Sequence, residues 1–239
     1  MSQPQPHLLV TGGTRGIGAA IVEALQARGA RVVAHGRSDT AYAIGADLAE
    51  AGAADVLWDR ALERLDGRID GLVNNAGVFE PVAVDASADA WRAAWARTTQ
   101  INLQAAADLS RRAVLHFQER ATPGRIVNIS SRAAHRGDSP AHWHYAASKA
   151  GLVAMTKTIA RAYAAEGVLA FAVCPGFVMT GMAADYLSSR GGEKLLADIP
   201  LGRVADPDEV ASVAAYLALD APASMTGAVL DVNGASYVR

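Results

Sequence analysis

Short apolar runs alternate with longer segments of helical periodicity along the whole chain. Because these runs are continuous, they predict parallel strands that are buried on both faces. The predicted strands span residues 7–11, 31–35, 42–46, 69–74, 125–130, 169–174 and 228–232. The predicted helices span residues 16–28, 54–65, 88–120 (bent or broken), 145–165 and 207–219. This order predicts an α/β fold, a doubly wound parallel sheet with helices on both faces.

One predicted connection is unusually short. Only residues 36–41 separate the second and third predicted strands, whereas a parallel crossover takes a dozen or more residues and usually contains a helix. Two alternatives remain open. Either a bare loop joins two parallel strands, or the third run is not a parallel strand.

Composition narrows the class of protein. With 239 residues, of which 51% are hydrophobic, the chain suits one domain over residues 1–239. A net charge of -2 provides no basic field for nucleic acid or an acidic membrane. Neither a signal peptide nor an apolar run near the roughly eighteen residues of a membrane span is evident, so we expect a cytoplasmic protein. The only cysteine, Cys174, is expected to be a small buried residue without a paired histidine.

A glycine-rich turn follows the first predicted strand and leads into the first helix. It reads Thr11-Gly12-Gly13-Thr14-Arg15-Gly16-Ile17-Gly18. Glycines at such a turn let backbone N–H groups approach a pyrophosphate at the helix N-terminus. No Gly-Lys-Ser/Thr follows, which argues against a nucleotide triphosphatase. By its spacing alone, the turn is an equally good plain strand-to-helix connection.

Further motifs arrive in a fixed order after the glycine turn. They are Asn74-Asn75-Ala76-Gly77, Asn102, Ser130-Ser131, Tyr145-Ala146-Ala147-Ser148-Lys149, Pro175-Gly176, Thr180 and Leu230-Asp231-Val232-Asn233-Gly234. Together they resemble the short-chain dehydrogenase/reductase superfamily over nearly the whole chain. The resemblance implies a Rossmann-type fold and an NAD(P)H-dependent oxidoreductase that interconverts a carbonyl and a secondary alcohol.

The resemblance also implies catalytic roles. Tyr145 would exchange a proton with the substrate oxygen, Lys149 would hold the nicotinamide ribose, Ser131 would hydrogen-bond the substrate, and Asn102 would anchor a proton-relay water. From the residues alone, Tyr145 and Lys149 are four apart on one helix face. A neighbouring ammonium lowers the pKa of a phenol from about 10. Taken singly, each residue could instead be a buried aromatic, a solvated lysine, a cap or a helix kink.

Cofactor selectivity is predicted at the end of the second strand. An NAD-type site places an acidic residue here, but this chain has Gly36-Arg37-Ser38. We therefore predict NADPH/NADP rather than NAD. Asp47 either lies with Leu48 near the adenine or caps the next helix, and the two alternatives are about equal. The remaining residues that the resemblance assigns to the cofactor are Asn75, Ala76, Gly77, Pro175, Gly176, Val178 and Thr180.

The segment after Ser131 is rich in polar side chains. We predict that Arg132, His135 and Arg136, with Ser131 and Tyr145, contact a polar or anionic small-molecule substrate, and that residues 181–200 form a lid over it. Histidines 135, 142 and 144 lack a firm metal-ligand spacing, so no metal centre is predicted. The resemblance implies a homotetramer that associates through two long helices and the C-terminal strand.

Two other functions stay open. One is a 3-oxoacyl-carrier-protein reductase, which would prefer a tethered acyl substrate. The other is a catalytically idle dinucleotide sensor or scaffold, because a fold does not by itself imply chemistry. The presence of Ser131, Tyr145 and Lys149 favours an enzyme that works in the reducing direction. The sequence does not choose its substrate or its stereochemistry.

Overall fold

Seven strands form one parallel sheet in the order β3-β2-β1-β4-β5-β6-β7. The computed structural model describes residues 5–179 and 196–239. Its strands are β1 His7–Val10, β2 Arg31–Gly36, β3 Ala43–Gly45, β4 Gly71–Asn74, β5 Gly124–Ile129, β6 Val168–Pro175 and β7 Val229–Val232. All seven predicted strands are confirmed, and their bounds move by a few residues at most.

The described helices are α1 Gly16–Ala27, α2 Ala53–Arg64, α3 Ala88–Thr99, α4 Ala105–Glu119, α5 Ala133–Arg136, α6 Trp143–Tyr163 and α7 Pro207–Leu219. Two short 3-10 turns, Ala164–Glu166 and Ala223–Met225, complete the described elements. The predicted bend in the long central helix is confirmed, because a π-helical turn, Gln100–Gln104, joins α3 to α4. The short helix α5 lies in a segment that the sequence predicted as a polar loop.

Two apolar layers cover the sheet. On one face, α1 and α7 pack over strand residues such as Val10, Val127 and Phe171. On the other face, α2, α4 and α6 pack over residues such as Leu9 and Leu72. Burying each of these side chains stabilises the fold by about 1.5 to 3 kcal/mol. Burial on both faces explains why the strands are continuous apolar runs in the sequence.

The short connection after β2 is a bare loop between parallel strands. β3 pairs with β2 in parallel register, with Ala34 opposite Ala43. The loop is held by Asp39, whose carboxylate accepts from the Gly45 N–H at 2.9 Å and from Arg60 at 2.6 Å. Arg60 also donates to the Gly45 carbonyl at 3.0 Å. An arginine from α2 therefore fastens the loop where a crossover helix would otherwise support it.

The strand order places a crevice at the carboxyl edge of the sheet. The chain runs outward from β1 through β2 to β3, and then returns to place β4 on the other side of β1. Open sheets of this kind bind ligands at such a reversal, beyond the carboxyl ends of the strands. Within the described ranges, no helix has the length and apolar character needed to cross a membrane.

Candidate active site

A cleft of about 580 Å³ opens at this edge of the sheet. The first turn of α1 and the ends of β2, β4, β5 and β6 form its walls. Of the predicted site residues, it is lined by Gly12, Thr14, Arg15, Gly16, Ile17, Gly18, Gly36, Arg37, Asp47, Leu48, Asn75, Ala76, Gly77, Ser131, Tyr145, Lys149, Pro175 and Gly176. Segments far apart in the sequence therefore meet in one cavity.

The glycine turn is shaped by close backbone contacts. Gly12 has a φ of +62°, a conformation that favours glycine. A Cβ on Gly18 would lie 2.0 Å from the Gly12 carbonyl oxygen, so no other residue fits there. The turn therefore brings the start of α1 close to β1, and the positive end of the helix dipole suits a pyrophosphate.

A buried histidine supports this turn, and the sequence analysis missed it. His35 Nδ1 accepts from the Gly12 N–H at 3.1 Å, and Nε2 lies 3.0 Å from the Ala46 carbonyl, to which it donates. Burial lowers the pKa of His35, which suits the neutral tautomer that these two bonds require. A polar residue inside an otherwise apolar strand was the signal that could have revealed it.

The Asn-Asn-Ala-Gly motif forms the floor of the cleft. Thr11 Oγ1 accepts from the backbone N–H groups of Asn75 and Ala76, both at 3.0 Å. The Asn75 side chain donates back to the carbonyls of Thr11 and Gly12 at 3.0 and 3.1 Å. These bonds tie the end of β4 to the glycine turn, so Asn75 has a structural role beneath the cleft.

Asn102 lies in the π-helical turn, where it is buried. Its Oδ1 accepts from the Val78 N–H at 2.8 Å, and its Nδ2 donates to the Val78 carbonyl at 3.0 Å. Nδ2 also lies 3.2 Å from Ser148 Oγ on α6. Asn102 thus joins the segment after β4 to the helix that carries Tyr145.

Tyr145 and Ser131 both line the reactive end of the cleft, where the serine hydroxyl favours ionisation of the phenol. Burial raises the pKa of Tyr145 to about 12, against the opposing effect of Ser131. The expected net lowering of this pKa beside Lys149 is not found, because the cost of burying the phenolate is the largest effect. Tyr145 therefore keeps its proton near neutral pH, as a proton donor must.

Lys149 lies one helical turn beyond Tyr145 on α6, and its Nζ is 5.8 Å from the centre of the tyrosine ring. Nζ donates to the Ile129 carbonyl at 2.9 Å. Burial lowers the pKa of Lys149 to about 8. At neutral pH a protonated phenol and an ammonium group therefore lie side by side, which suits protonation of an oxygen that gains negative charge.

Two described residues that were predicted to bind the cofactor do not line the cleft. Ser38 lies against Gly45 in the β2–β3 loop, and Val178 is buried while its backbone bridges to Ala205. Thr180 lies outside the described residues. The cleft also contains residues that the sequence analysis did not select: His35, Ala46, Val78, Phe79, Arg97, Ile101, Ile129 and Ser130.

Asp47 lines the cleft, and it does not cap α2. The N-cap of that helix is Gly52. The Asp47 carboxylate instead accepts from the Ala49 N–H at 3.0 Å within a local turn, and Asp47 is exposed beside the adjacent, buried Leu48. The helix-cap alternative is therefore wrong.

The predicted substrate cations contact the protein itself. Arg132 and Arg136 both bind the carboxylate of Asp198, at 3.2 and 2.7 Å, and the Arg132 guanidinium lies 4.6 Å from the centre of the Phe177 ring. These contacts join α5 to the end of the predicted lid segment, of which residues 181–195 lie outside the described structure. The side chains were expected to be free for a substrate, and instead they form internal ion pairs.

His135 also contacts protein groups. Its Nε2 is 3.6 Å from the Sγ of Cys174, and its ring stacks on Tyr237. Cys174 is fully buried, as expected. The expectation that it lacks a paired histidine is wrong, because the two residues are 39 positions apart in the sequence and the fold brings them together.

An aromatic wall borders the reactive end of the cleft. The Phe79 and Tyr145 rings pack edge to face, with centroids 4.7 Å apart, and Phe79 stacks face to face on His142 at 3.8 Å. Phe79 remains 41% exposed. A partly exposed aromatic surface therefore lies beside the Tyr145 ring.

Comparisons with known proteins agree with this geometry. A family model described as enoyl-(acyl carrier protein) reductase matches residues 12–235. The chain is 36% identical over 241 residues to a 3-oxoacyl-(acyl-carrier-protein) reductase of Haemophilus influenzae, covering 96% of this chain and 97% of that protein. It is 35% identical over 243 residues to an acetoacetyl-CoA reductase of Shinella zoogloeoides, covering 96% and 97%.

A third relative is a cis-4-hydroxycyclohexanecarboxylate dehydrogenase of Sinomonas cyclohexanicum, which is 37% identical over 244 residues, covering 95% of this chain and 94% of that protein. Among solved structures, a protein taken to be a gluconate dehydrogenase from Agrobacterium tumefaciens matches with a TM-score of 0.87 and 26% identity. That match covers 98% of this chain and 97% of the other.

Proposed function

Because the chain belongs to the short-chain dehydrogenase/reductase superfamily and is an oxidoreductase that interconverts a carbonyl and a secondary alcohol, we propose that it reduces a carbonyl with NADPH, with Tyr145 as the proton donor. The observation that carries the proposal is the protonated Tyr145, which lines one cleft together with Ser131 and Lys149. A bound nicotinamide cofactor supplies the hydride for this reaction.

The cleft fits such a cofactor. The glycine turn packs closely at Gly18, and the backbone N–H groups at the start of α1 suit a pyrophosphate. At the other end, Pro175 and Gly176 line the cleft beside Ser131, Tyr145 and Lys149. The residues present would therefore hold an extended dinucleotide between the glycine turn and Tyr145.

Different residues of the chain orient the substrate, donate the proton and stabilise the charge that remains. Ser131 and Tyr145 both hydrogen-bond the substrate carbonyl oxygen, which orients it and draws negative charge toward the phenol. As the carbonyl carbon is reduced, the Tyr145 O–H bond breaks and its proton passes to that oxygen. The Lys149 ammonium stabilises the phenolate that remains. Asn102 has an indirect role, since it holds α6, the helix that carries Tyr145 and Lys149.

The direct test is to mix the protein with NADPH and a panel of ketones while following the loss of nicotinamide absorbance. The panel should include free and acyl-carrier-tethered 3-oxoacyl substrates, because relatives include a 3-oxoacyl-(acyl-carrier-protein) reductase. A marked preference for the tethered form would favour that second function. Tight binding of NADPH without turnover of any substrate would favour the idle sensor and contradict the proposal.

We expect reductive activity to fall as the pH rises through about 8. The pKa of Lys149 is lowered to about 8 and that of Tyr145 is raised to about 12. Below pH 8 both groups carry their protons; above it Lys149 loses its charge first, while Tyr145 is still protonated. The measurement is a pH profile of kcat/KM. In Lys149→Arg, the fall in activity should occur at a higher pH than in the wild-type chain. A flat profile from pH 6 to about 10 would contradict the assignment.

We also expect Arg132 and Arg136 to affect the binding of a polar or anionic substrate, although both are now held by Asp198. Arg132→Ala and Arg136→Ala should each raise KM severalfold, through direct contact or through the Asp198 ion pairs. Asp198→Asn separates the two causes, because it frees both arginines without removing their charge. If KM is unchanged in both arginine variants for every active substrate, the two cations serve the fold alone.

A cytoplasmic homotetramer is the expected assembly, since members of the superfamily commonly associate through long central helices and the C-terminal strand. On α6, Ala150 and Gly151 are half-buried and Ala154 and Ala147 are exposed, and small residues allow close helix approach. Light scattering should report about four times the chain mass of 24.8 kDa. A mass near that of one chain at micromolar concentration would contradict this expectation.

A further inference from the structure

A second cluster of reactive side chains lies behind the catalytic serine. It consists of His135 on α5, Cys174 at the end of β6 and Asp231 on β7. Cys174 and Asp231 are direct partners in the parallel register of β6 and β7. The nitrogen, sulfur and oxygen atoms of the three residues all lie within 4.8 Å of one another. Three separate elements therefore direct potential metal ligands to one point.

We propose that His135, Cys174 and Asp231 bind one transition-metal ion of the Zn²⁺ type. Imidazole, thiolate and carboxylate are the ligands that zinc uses in proteins, at about 2.0 to 2.3 Å. Ligands of a tetrahedral ion are then about 3.3 to 3.8 Å apart, and His135 Nε2 is already 3.6 Å from Cys174 Sγ. Side-chain movement of about an ångström closes the remaining gap.

Binding of the metal displaces one proton from the site. The Cys174 S–H bond breaks, its proton passes to solvent, and the sulfur electron pair forms the bond to the metal, so nothing is oxidised or reduced. One thiolate and one carboxylate then neutralise the two charges of the ion, while His135 binds as a neutral imidazole. The ion thereby compensates the charge of the fully buried Cys174 thiolate, while Arg239 remains paired with Asp231.

Neighbouring groups already orient two of the three ligands. Arg239 donates to Asp231 Oδ2 at 3.0 Å, which leaves Oδ1 for the metal. The Tyr237 ring stacks on the His135 ring with centroids 5.6 Å apart. Such outer partners fix the orientation of metal ligands and support affinity.

A surface cavity of about 430 Å³ adjoins the cluster and is lined by Asp231, Asn233, Tyr237 and Arg239 among others. It provides an approach for the ion and room for a water as fourth ligand. Cys174 directly precedes Pro175 and Gly176, which line the catalytic cleft, and α5 directly follows Ser131 and Arg132. A bound ion would therefore join α5, β6 and β7 behind the reactive end of the cleft.

Cobalt(II) tests this proposal without reference to activity. When Co²⁺ is added to the full chain, we expect one equivalent to produce a thiolate-to-cobalt charge-transfer band and the visible bands of a tetrahedral ion. Zn²⁺ should abolish these bands by competition, and it should raise the melting temperature, because it binds the folded chain preferentially. Mg²⁺, which prefers oxygen ligands, should do neither. If the wild-type chain gives no thiolate band, the proposal is overturned.

Variants then locate the ion. Cys174→Ala should remove the charge-transfer band. His135→Asn and Asp231→Asn should each weaken Co²⁺ binding by more than the roughly tenfold to hundredfold that loss of an outer partner costs. His116→Asn is the matched control, because this partly buried histidine on α4 is remote from the cluster, and it should leave binding unchanged. Unchanged affinity in both His135→Asn and Asp231→Asn would leave only adventitious binding at a thiol and overturn the proposal, whether or not Cys174→Ala folds.

Discussion

Replacing Tyr145 by phenylalanine is expected to lower kcat about a hundredfold to ten-thousandfold, the usual contribution of a general acid. In the structure, the hydroxyl and the ring of Tyr145 have different contacts, so this substitution tests the hydroxyl alone. The hydroxyl interacts electrostatically with Ser131, while the ring itself packs against Phe79 and lies near Lys149 Nζ. Phenylalanine keeps the ring and its packing, so binding of NADPH should be nearly unchanged.

The control for this experiment lies on the same helix. Tyr163 is half-buried at the other end of α6, where it packs in the apolar layer away from the cleft. Tyr163→Phe makes the same chemical change and should leave kcat within about twofold of wild type. If Tyr145→Phe retains more than half of the wild-type kcat, Tyr145 is not the proton donor.

Residual activity of Tyr145→Phe can be assigned by its pH dependence. With the phenol absent, proton delivery falls to water held near Ser131 or to the Lys149 ammonium. If Lys149 takes over, activity should still be lost above about pH 8, where the lowered pKa of Lys149 leaves it uncharged. If water takes over, the limb near pH 8 should disappear. A steady-state pH profile of the variant decides between the two.

The fold was predictable because the burial of each strand and helix between layers requires a clear hydrophobic pattern in the sequence. Strands such as β6 are buried on both faces, so Leu169, Phe171 and Val173 stand in an unbroken apolar run. The glycine turn was predictable for a different reason, since Gly18 leaves no space for a side chain. The apolar strands and the glycine turn both depend on local geometry, which determines the residue types directly.

The contacts that the sequence did not reveal join residues far apart in the chain. Asp198 meets Arg132 and Arg136 from more than 60 positions away, and Cys174 meets His135 across 39. No periodicity encodes such pairs, because tertiary packing alone creates them. The pKa of Tyr145 was misjudged for a related reason: spacing identifies the neighbouring lysine, whereas the extent of burial, which here raises the pKa to about 12, depends on the whole fold.

The second large effect concerns the cofactor. We expect NADPH to be preferred over NADH by about tenfold to hundredfold in kcat/KM, because one charge-assisted hydrogen bond to the 2′-phosphate contributes about 1.5 to 3 kcal/mol. Arg37 and Arg15 both line the cleft and are exposed. Within residues 5–179 and 196–239, neither forms an ion pair. Both guanidinium groups are therefore available to a phosphate, and arginine suits its geometry.

Gly36 also has a structural role that does not depend on a bound phosphate. A Cβ on Gly36 would lie 2.6 Å from Thr14 Cγ2, so the residue allows the glycine turn and the end of β2 to approach each other. The loop after Gly36 is fastened by the Asp39–Arg60 ion pair, which holds the backbone that carries Arg37. A fixed backbone lowers the entropy that Arg37 must lose on binding a phosphate.

The test is kcat/KM with both cofactors for the wild-type chain and three variants. Arg37→Ala should lose most of the preference for NADPH while leaving kcat/KM with NADH within about twofold, because only the phosphate contact is removed. Arg60→Ala should lose part of the preference for NADPH, since this change frees the β2–β3 loop but keeps the charge of Arg37. Arg92→Ala removes an exposed arginine of α3 that does not line the cleft, and it should change neither value. Equal kcat/KM for the two cofactors, or a preference for NADH, in the wild-type chain would show that Asp47, the exposed carboxylate in the same cleft, outweighs the two arginines.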